Sequence, residues 1–216
     1  YYIEGSELEI STDVILSQEY NVEIKKVTIY NNSDKKREVL INTYLEPAMT
    51  DFMTNVVHPS FSNLLIETSY DKQLDALIAS KRKKSTTDTE LYVFSKMVGI
   101  DLEKDVETEK MKLSKNDDSA YDGNIIKYPL WPVLSYRATI ILDPYERQEF
   151  YYYVGICENK YQISNTIVNL DKDELKSQFL LSSEINSVVA RYLKLTPSKA
   201  QIYNNMIKEV MFEHNV

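Results

Sequence analysis

The sequence has few of the residues from which catalytic and metal sites are usually built. Its 216 residues include one cysteine, Cys157, two histidines, His58 and His214, and only four glycines. One cysteine excludes an internal disulfide and the zinc sites that need several cysteines, and it fits a reducing compartment. Any histidine-dependent triad would have to use His58, because His214 falls in a stretch expected to fray. The glycines have no spacing that builds a phosphate-cradling loop, so nucleotide binding is disfavoured.

Excess positive charge and long apolar runs are also missing. A formal net charge of −8 argues against a nucleic-acid partner, since phosphate binding depends on clustered lysine and arginine. No apolar run approaches the ~18 residues that suggest a membrane span, and no export signal opens the chain. The chain begins with Tyr1 rather than methionine, which suggests a segment of a longer protein. We therefore expect a cytoplasmic protein, or the cytoplasmic side of a membrane-tethered parent.

Alternating apolar residues dominate the first three quarters of the chain and predict strands. In the run 22–29 the alternation of apolar residues shifts by one position at the two lysines, which predicts a β-bulge. The sequence "NNS" at 31–33 predicts a hairpin turn to an antiparallel neighbour at 39–45 rather than a glycosylation acceptor. Further strands are predicted from "NLLIETSYD", "LDALIASKR" and "ELYVFSKMVG". Two more surround the turn "DPYERQ", and in the first of them alternate residues from Leu134 to Leu142 share one face.

Helical signals follow the strands. Asp171 precedes Glu174 by three residues as in a capping box, and Thr196 followed by Pro197 marks a second helix start. Apolar positions recur at helical spacing after both, and they include Tyr203, Ile207 and Val210 in the second helix. The pattern predicts a β-sandwich domain over 1–168 and a helical linker over 169–216.

Four segments carry a resemblance to a known family. They are "VEIKKVTIYNNSDKKREVLINTYLEPAM", "HPSFSNLLIETSYDKQLDALIASKRKKS", "YPLWPVLSYRATIILDPYERQEFYYYVGI" and "LKLTPSKAQIYNNMIKEVMF". Together they resemble the N-terminal β-domain of glycoside hydrolase family 94, which holds cellobiose phosphorylases, β-1,2-oligoglucan phosphorylases and the phosphorylase-like region of cyclic β-1,2-glucan synthases. The last two groups look most similar. One departure is that the loop before "YPLWPVLSYR" is short and lacks the family's glycine-rich stretch.

The resemblance implies a mainly β fold, an antiparallel β-supersandwich of the galactose mutarotase-like type with two C-terminal helices. It also implies that the catalytic acid of an inverting phosphorolysis lies in an (α/α) barrel following Val216. Whether this chain belongs to an enzyme is therefore open, but the chain itself would be non-catalytic. No cofactor and no metal are implied. The implied partners are a β-glucan or another glucose-containing oligosaccharide, the barrel of the same parent chain and, in one arrangement, a second copy in a homodimer.

Four residues are candidates for substrate contact. Trp131 lies between Pro129 and Pro132 in a loop-like context, where it could stack a sugar ring, anchor in the core or meet another domain. Arg137, on the strand face opposite Leu134, is expected to brace a neighbouring acid more readily than to bind phosphate. His58 and Phe61 are interpreted as part of a structural loop that enters a strand, with a sugar-contacting or domain-contacting role second.

Two functions follow as rival hypotheses. The first is a non-catalytic domain that helps to form the active-site wall or a subunit interface of a β-glucan phosphorylase or cyclic β-1,2-glucan synthase-like protein. The second is a free-standing carbohydrate-binding module that holds glucan on an aromatic sheet face. An exposed apolar stripe at Tyr203, Ile207 and Val210 would favour the first hypothesis. Glucan binding that is lost in Trp131→Ala would favour the second.

Overall fold

The computed structural model describes residues 2–4, 7–83, 90–100, 104–113 and 125–212. Over these ranges the chain is mainly antiparallel β, as predicted, and it divides into two compact units, 1–175 and 176–216. The strands of the described residues are β1 (Tyr2–Glu4), β2 (Leu8–Leu16), β3 (Val22–Asn31), β4 (Arg37–Asn42), β5 (Ile66–Asp71), β6 (Ala76–Lys81), β7 (Tyr92–Val98), β8 (Asp105–Glu109), β9 (Pro132–Leu142) and β10 (Arg147–Cys157). The helices are α1 (Phe52–Val57), α2 (Pro59–Asn63), α3 (Lys110–Leu113), α4 (Lys160–Asn169), α5 (Lys172–Tyr192) and α6 (Pro197–Phe212).

The strands of the first unit form two sheets of unequal size. In the described residues the large sheet has seven strands in the order β1-β2-β3-β10-β7-β6-β5, and the small sheet has three in the order β4-β9-β8. The predicted alternation in β9 is confirmed, because Leu134, Tyr136, Ala138, Ile140 and Leu142 are all at most 2% exposed. They pack on the inner face of the large sheet and form the main core. Seven strands facing three leave part of that inner face uncovered.

Strand β3 contains no bulge, so that prediction was wrong. Its register runs without a shift from Val22 to Asn31 against its neighbours β2 and β10. The apolar phase changes because the covered face changes along the strand: Ile24 is buried on one face and Ile29 on the other. Val27 and Ile29 belong to the core between the sheets, whereas Val22 and Ile24 lie on the outer face of the large sheet.

The predicted hairpin at 31–33 is also wrong, because β3 and β4 lie in different sheets. Asn31 is fully buried at the crossing, and its Nδ2 donates to the carbonyl oxygens of Lys35 at 2.7 Å, Asp143 at 2.9 Å and Leu142 at 3.3 Å. Its Oδ1 accepts from the backbone N–H of Ser33 at 3.2 Å and from the Ser33 hydroxyl at 2.7 Å. The amide thus fixes the corner where the chain changes sheets, and it is not an accessible glycosylation acceptor.

The outer face of the large sheet has its own apolar cover. Helix α4, which the sequence interpretation assigned to no element, contacts β10 and buries Ile163 and Ile167. In this layer Tyr153 is fully buried, and its ring meets the Phe94 ring edge-on, with centroids 6.4 Å apart. The run "EFYYYVGI" allows two interpretations, sheet tyrosines in a structural role or a sugar-stacking surface, and the burial of Tyr151 and Tyr153 supports the first. Cys157 is buried at the end of β10, where burial raises the pKa of its thiol.

Both C-terminal helices were predicted from their caps. The Asp171 carboxylate accepts from the backbone N–H of Glu174 at 2.8 Å, and Thr196 accepts from that of Lys199 at 3.4 Å. In the second unit several apolar side chains are more than half exposed: Leu180, Val188, Tyr192, Leu193, Ile202, Tyr203 and Met206. The predicted stripe is thus exposed at Tyr203, while the side chains at 207 and 210 lie outside the described residues. Within the described part of the chain, no helix combines the length and apolarity needed to cross a membrane.

Candidate functional site

The segment containing His58 is a pair of short helices, where the sequence predicted a loop. The backbone N–H of His58 donates to the Thr54 carbonyl at 2.9 Å and closes α1, while its own carbonyl accepts from Ser62 at 3.1 Å and opens α2. Ser62 is buried, and its Oγ accepts from the Thr50 hydroxyl at 3.0 Å. Among the described residues no hydrogen bond joins the exposed His58 imidazole to Ser60 or Ser62. The backbone of His58 thus joins the two helices, while its side chain is exposed.

These two helices and the residue that caps the second present six apolar side chains to solvent. Helix α1 buries none of its residues. We call this set the α1–α2 apolar surface; each member is at least half exposed, and the members are Phe52, Met53, Val56, Val57, Phe61 and Leu64. Large exposed apolar patches usually mark a contact with another domain or with a ligand. The predicted site residue Phe61 belongs to it.

Trp131 is held by a buried carboxylate that the sequence interpretation missed. Glu109, at the end of β8, is 7% exposed and accepts from the backbone N–H of Leu130 at 2.7 Å and of Trp131 at 3.2 Å. The Trp131 carbonyl accepts in return from the Lys110 N–H at 2.9 Å. The loop backbone is thereby fixed, while the indole remains 38% exposed. Contacts between residues 22 positions apart leave no pattern in sequence, so this clamp could not have been predicted.

The loop that carries Trp131 is joined to both sheets. The Ile126 carbonyl accepts from the hydroxyls of Thr68 and Thr108, which lie on β5 and β8. Arg82 lies with its guanidinium carbon 5.0 Å from the centre of the Tyr128 ring and donates to the Leu64 carbonyl. This arginine brings the Trp131 loop next to the α1–α2 apolar surface. Two of the four predicted site residues, Phe61 and Trp131, therefore lie on segments that Arg82 links, and His58 lies at the junction of α1 and α2.

Arg137 lies elsewhere. It is on the face of β9 opposite the core, and its partners in the ladder are Asp105 of β8 and Asn42 of β4. Directly opposed residues on antiparallel strands place their Cβ atoms about 4.5–5.5 Å apart, so Asp105 is available as an ionic neighbour. Arg137 lies six positions after Trp131 in the chain, which corresponds to about 20 Å of extended strand. Its bracing role stays a prediction.

A second buried carboxylate supports the same edge of the small sheet. Glu107 is fully buried, and its Oε1 accepts from the backbone N–H of Thr108 at 2.8 Å and of Glu109 at 2.9 Å. The register of β8 shifts at this point, so the carboxylate satisfies the donors that the irregularity frees. No group of three potential metal-binding side chains (His, Cys, Asp or Glu) occurs in the described ranges. Both glutamates accept hydrogen bonds from backbone N–H groups.

A cleft opens between the sheets where the small sheet does not cover the large one. It comprises a volume of about 650 Å³ at the ends of β2, β3 and β10 and a second volume of about 380 Å³ between β4 and β2–β3. Lys25, Tyr44 and Tyr152 line both parts. Glu23 and Lys25 project from the inner face of β3 and form an ion pair at 3.0 Å, with both side chains about 40% exposed. We call this feature the inter-sheet cleft.

Tyr44 is held in place at the mouth of the cleft. It follows β4, and the next residue, Leu45, is bridged to Leu134 by two backbone hydrogen bonds. The Tyr44 hydroxyl donates to Glu46, and the Lys110 ammonium lies 5.7 Å from the ring centre and 2.5 Å from the same carboxylate. The hydrogen bond to Lys110 lowers the pKa of the Glu46 carboxyl group. Burial and the hydrogen bond to Glu46 raise the pKa of the Tyr44 hydroxyl. The ring is thus fixed although it is half exposed.

None of the four candidate site residues selected from the sequence lines the cleft. One sequence feature could have indicated the cleft. Glu23 and Lys25 lie on the same strand face as Val27 and Ile29, so two charged residues occupy positions that alternation assigns to the core. Charged residues at core-facing positions of a strand indicate that this part of the inner face is not covered by protein.

Comparisons with known proteins agree on the class of domain. Residues 2–172 match the family described as glycosyl hydrolase 94, supersandwich domain. The cyclic beta-(1,2)-glucan synthase NdvB of Rhizobium meliloti (strain 1021) is 24% identical over 87 residues, which are 40% of this chain and 3% of that protein.

Two solved structures share a low likeness with the chain. A polysaccharide lyase aligns over 77% of this chain and 22% of its own, with 9% identity and a TM-score of 0.44. A protein described as a kojibiose phosphorylase from the human microbiome aligns over 94% of this chain and 22% of its own, with 11% identity and a TM-score of 0.40. The chain therefore spans a small part of each protein compared. Since the family match covers most of its residues, the chain belongs to the glycosyl hydrolase 94 supersandwich domain family.

Proposed function

We propose that the chain is a non-catalytic, carbohydrate-associated domain of a larger β-glucan phosphorylase or cyclic β-1,2-glucan synthase-like protein. In this role it supports the active site or a subunit interface of a following (α/α) barrel. Family membership and the curated relative, a glucan synthase, support the carbohydrate context. The buried glutamates Glu107 and Glu109 support a structural role, because both bind backbone N–H groups of their own domain.

The α1–α2 apolar surface is the observation that carries this proposal. Phe52 is 71% exposed, Met53 65% and Val56 58%, on a helix that buries no side chain of its own. Burying a large apolar side chain contributes roughly 1.5–3 kcal/mol, so leaving several in water forgoes several kcal/mol. A partner domain that covers them would recover this free energy. The barrel of the same parent is the partner that the proposed context supplies, and a second copy in a homodimer is the alternative partner.

Replacing Phe52 and Val56 by serine tests the contact. In the 216-residue chain the double variant is expected to change the free energy of unfolding by less than about 0.5 kcal/mol, because both side chains are already largely solvated. In the native full-length protein it is expected to lower the thermal midpoint by several degrees, because both side chains lose their cover. Differential scanning calorimetry of both proteins measures the two effects.

A matched control replaces Tyr161 and Val168, which are 80% and 69% exposed on α4, by serine. This variant is expected to leave the thermal midpoints of both the 216-residue chain and the full-length protein unchanged. If the α1 variant also leaves the full-length protein unchanged, the surface is not an interface and the docking proposal fails. If the unmodified 216-residue chain sediments as a dimer and the α1 variant as a monomer, the partner is a second copy.

A free-standing carbohydrate-binding module is the second candidate function, and the inter-sheet cleft is the observation that favours it. A free-standing module has no catalytic partner, so this function needs a sugar site within the chain itself. The two candidate functions exclude each other, because only a domain of a larger protein has a following barrel. They differ in whether the α1–α2 apolar surface is covered in the native state.

A further inference from the structure

The inter-sheet cleft is an uncovered part of a face that sandwich proteins normally bury. Leu16 is 67% exposed and Ile156 53% exposed, although both project from the inner face of the large sheet beside Glu23 and Val154. Its larger part, about 650 Å³, lies within the usual size range of small-molecule sites. All lining residues belong to the first unit. The cleft is therefore a preformed concave surface of this unit.

The lining combines flat apolar rings with charged hydrogen-bonding groups. Tyr20 and Tyr44 supply aromatic surface, Glu23 supplies an acceptor, and Lys25 supplies donors. Sugars present both kinds of surface, with C–H groups on the faces of the ring and hydroxyl groups at its edge. A hydroxyl can donate to the carboxylate and accept from the ammonium, and hydrogen bonds to charged groups are stronger than those between neutral groups. The arrangement therefore fits a neutral carbohydrate.

Two other occupants fit less well. Apolar side chains of another segment would cover the Glu23–Lys25 pair without hydrogen-bonding it, and desolvating an ion pair costs more than its attraction returns unless further hydrogen bonds are made. An anionic ligand would meet the Glu23 carboxylate on a chain whose net charge is −8. A neutral sugar avoids both penalties.

We infer that the inter-sheet cleft binds a short stretch of neutral β-glucan. Tyr44, already fixed by Glu46 and Lys110, stacks on a sugar ring, and the Glu23–Lys25 pair hydrogen-bonds its hydroxyls. The inference rests on the proposed carbohydrate-associated function and adds the place and the contacts. It assigns the binding to Tyr44, Glu23 and Lys25 rather than to Trp131 and Phe61.

Isothermal titration of the 216-residue chain with β-1,2-linked glucooligosaccharides tests this site, with cellooligosaccharides and maltooligosaccharides as comparison ligands. The wild-type chain is expected to bind a β-linked oligosaccharide. Tyr44→Ala and Glu23→Gln are each expected to weaken that binding at least about tenfold, as central contacts of a binding site do. Both side chains are partly exposed, so the variants are expected to fold, which circular dichroism checks.

Trp131→Ala and Tyr161→Ala serve as controls and are expected to bind as the wild type does. Binding that Trp131→Ala abolishes and Tyr44→Ala preserves would overturn the cleft assignment while leaving a carbohydrate role for the domain. A wild-type chain that binds none of the three oligosaccharides would overturn the cleft inference outright. Neither outcome bears on the docking of the α1–α2 apolar surface, which calorimetry tests without sugar.

Discussion

Gly155→Ala is expected to destabilise the first unit by about 3 kcal/mol or more, because a side chain at this position has no space. A Cβ built on Gly155 lies 2.2 Å from Cζ of Phe94 and 2.4 Å from one of its Cε atoms. The Phe94 ring is 1% exposed and packs edge-on against Tyr153, so it cannot swing into solvent. For a chain of this length such a loss lowers the thermal midpoint by roughly 6–12 °C, which thermal unfolding followed by circular dichroism measures.

A second substitution separates this clash from a general effect on the strand. In Phe94→Leu the side chain is smaller, so adding Gly155→Ala is expected to cost at least about 1 kcal/mol less than it does in the wild type. The coupling is measured by a double-mutant cycle of the four proteins. If Gly155→Ala unfolds within about 0.5 kcal/mol of the wild type, the ring does not confine this glycine and the packing described for the outer face is wrong.

Asn31→Ala is expected to cost about 3 kcal/mol, the second large effect. The substitution removes the donors to three buried or partly buried carbonyl oxygens and the acceptor for Ser33. Leaving buried polar groups without partners costs roughly 1–3 kcal/mol each, and local relaxation recovers part of the total. The neighbouring Asn32 is exposed, so Asn32→Ala is a matched control and is expected to lie within about 0.5 kcal/mol of the wild type. Urea unfolding of the three proteins measures the difference.

The same position has a pH signature. Asn31→Asp places a carboxylate against three carbonyl oxygens, and both burial and these dipoles raise its pKa in the folded state. A raised pKa means that the protonated, donating form is favoured by folding. The stabilisation by the protonated carboxyl group is fully present below the pKa that this group has in the unfolded chain. It is lost as the pH rises through the pKa that the group has in the folded chain. The variant is therefore expected to approach the stability of the wild type in acid and to fall below it near neutral pH. A pH-independent difference would contradict the donor role of the amide.

Local patterns predicted most strands and the last two helices because their causes are local. Alternation over Leu134–Leu142 and the caps at Asp171 and Thr196 depend on residues a few positions apart. The β3 phase change was misinterpreted because one strand is covered on different faces at its two ends, which alternation alone cannot distinguish from a bulge. The hairpin prediction failed because the amide of Asn31 binds residues more than 100 positions away.

The candidate sites depended more on distant contacts. Trp131 could be selected from its neighbours in sequence, but the Glu109 clamp joins two separate segments. Strand β8 itself was not predicted, since three of its five residues are acidic, and two of these are buried. The inter-sheet cleft follows from the unequal number of strands in the two sheets, which is a property of topology rather than of any single segment.

The size of the native polypeptide tests the central claim most directly. An antibody raised against the 216-residue chain can be used to probe a lysate of source cells by immunoblot. A domain of a larger glucan-processing protein predicts a band several times heavier than 25.2 kDa, and the same blot would direct the search for the barrel and its catalytic acid. A single band near 25.2 kDa would contradict the domain proposal and leave the free-standing glucan-binding module in its place.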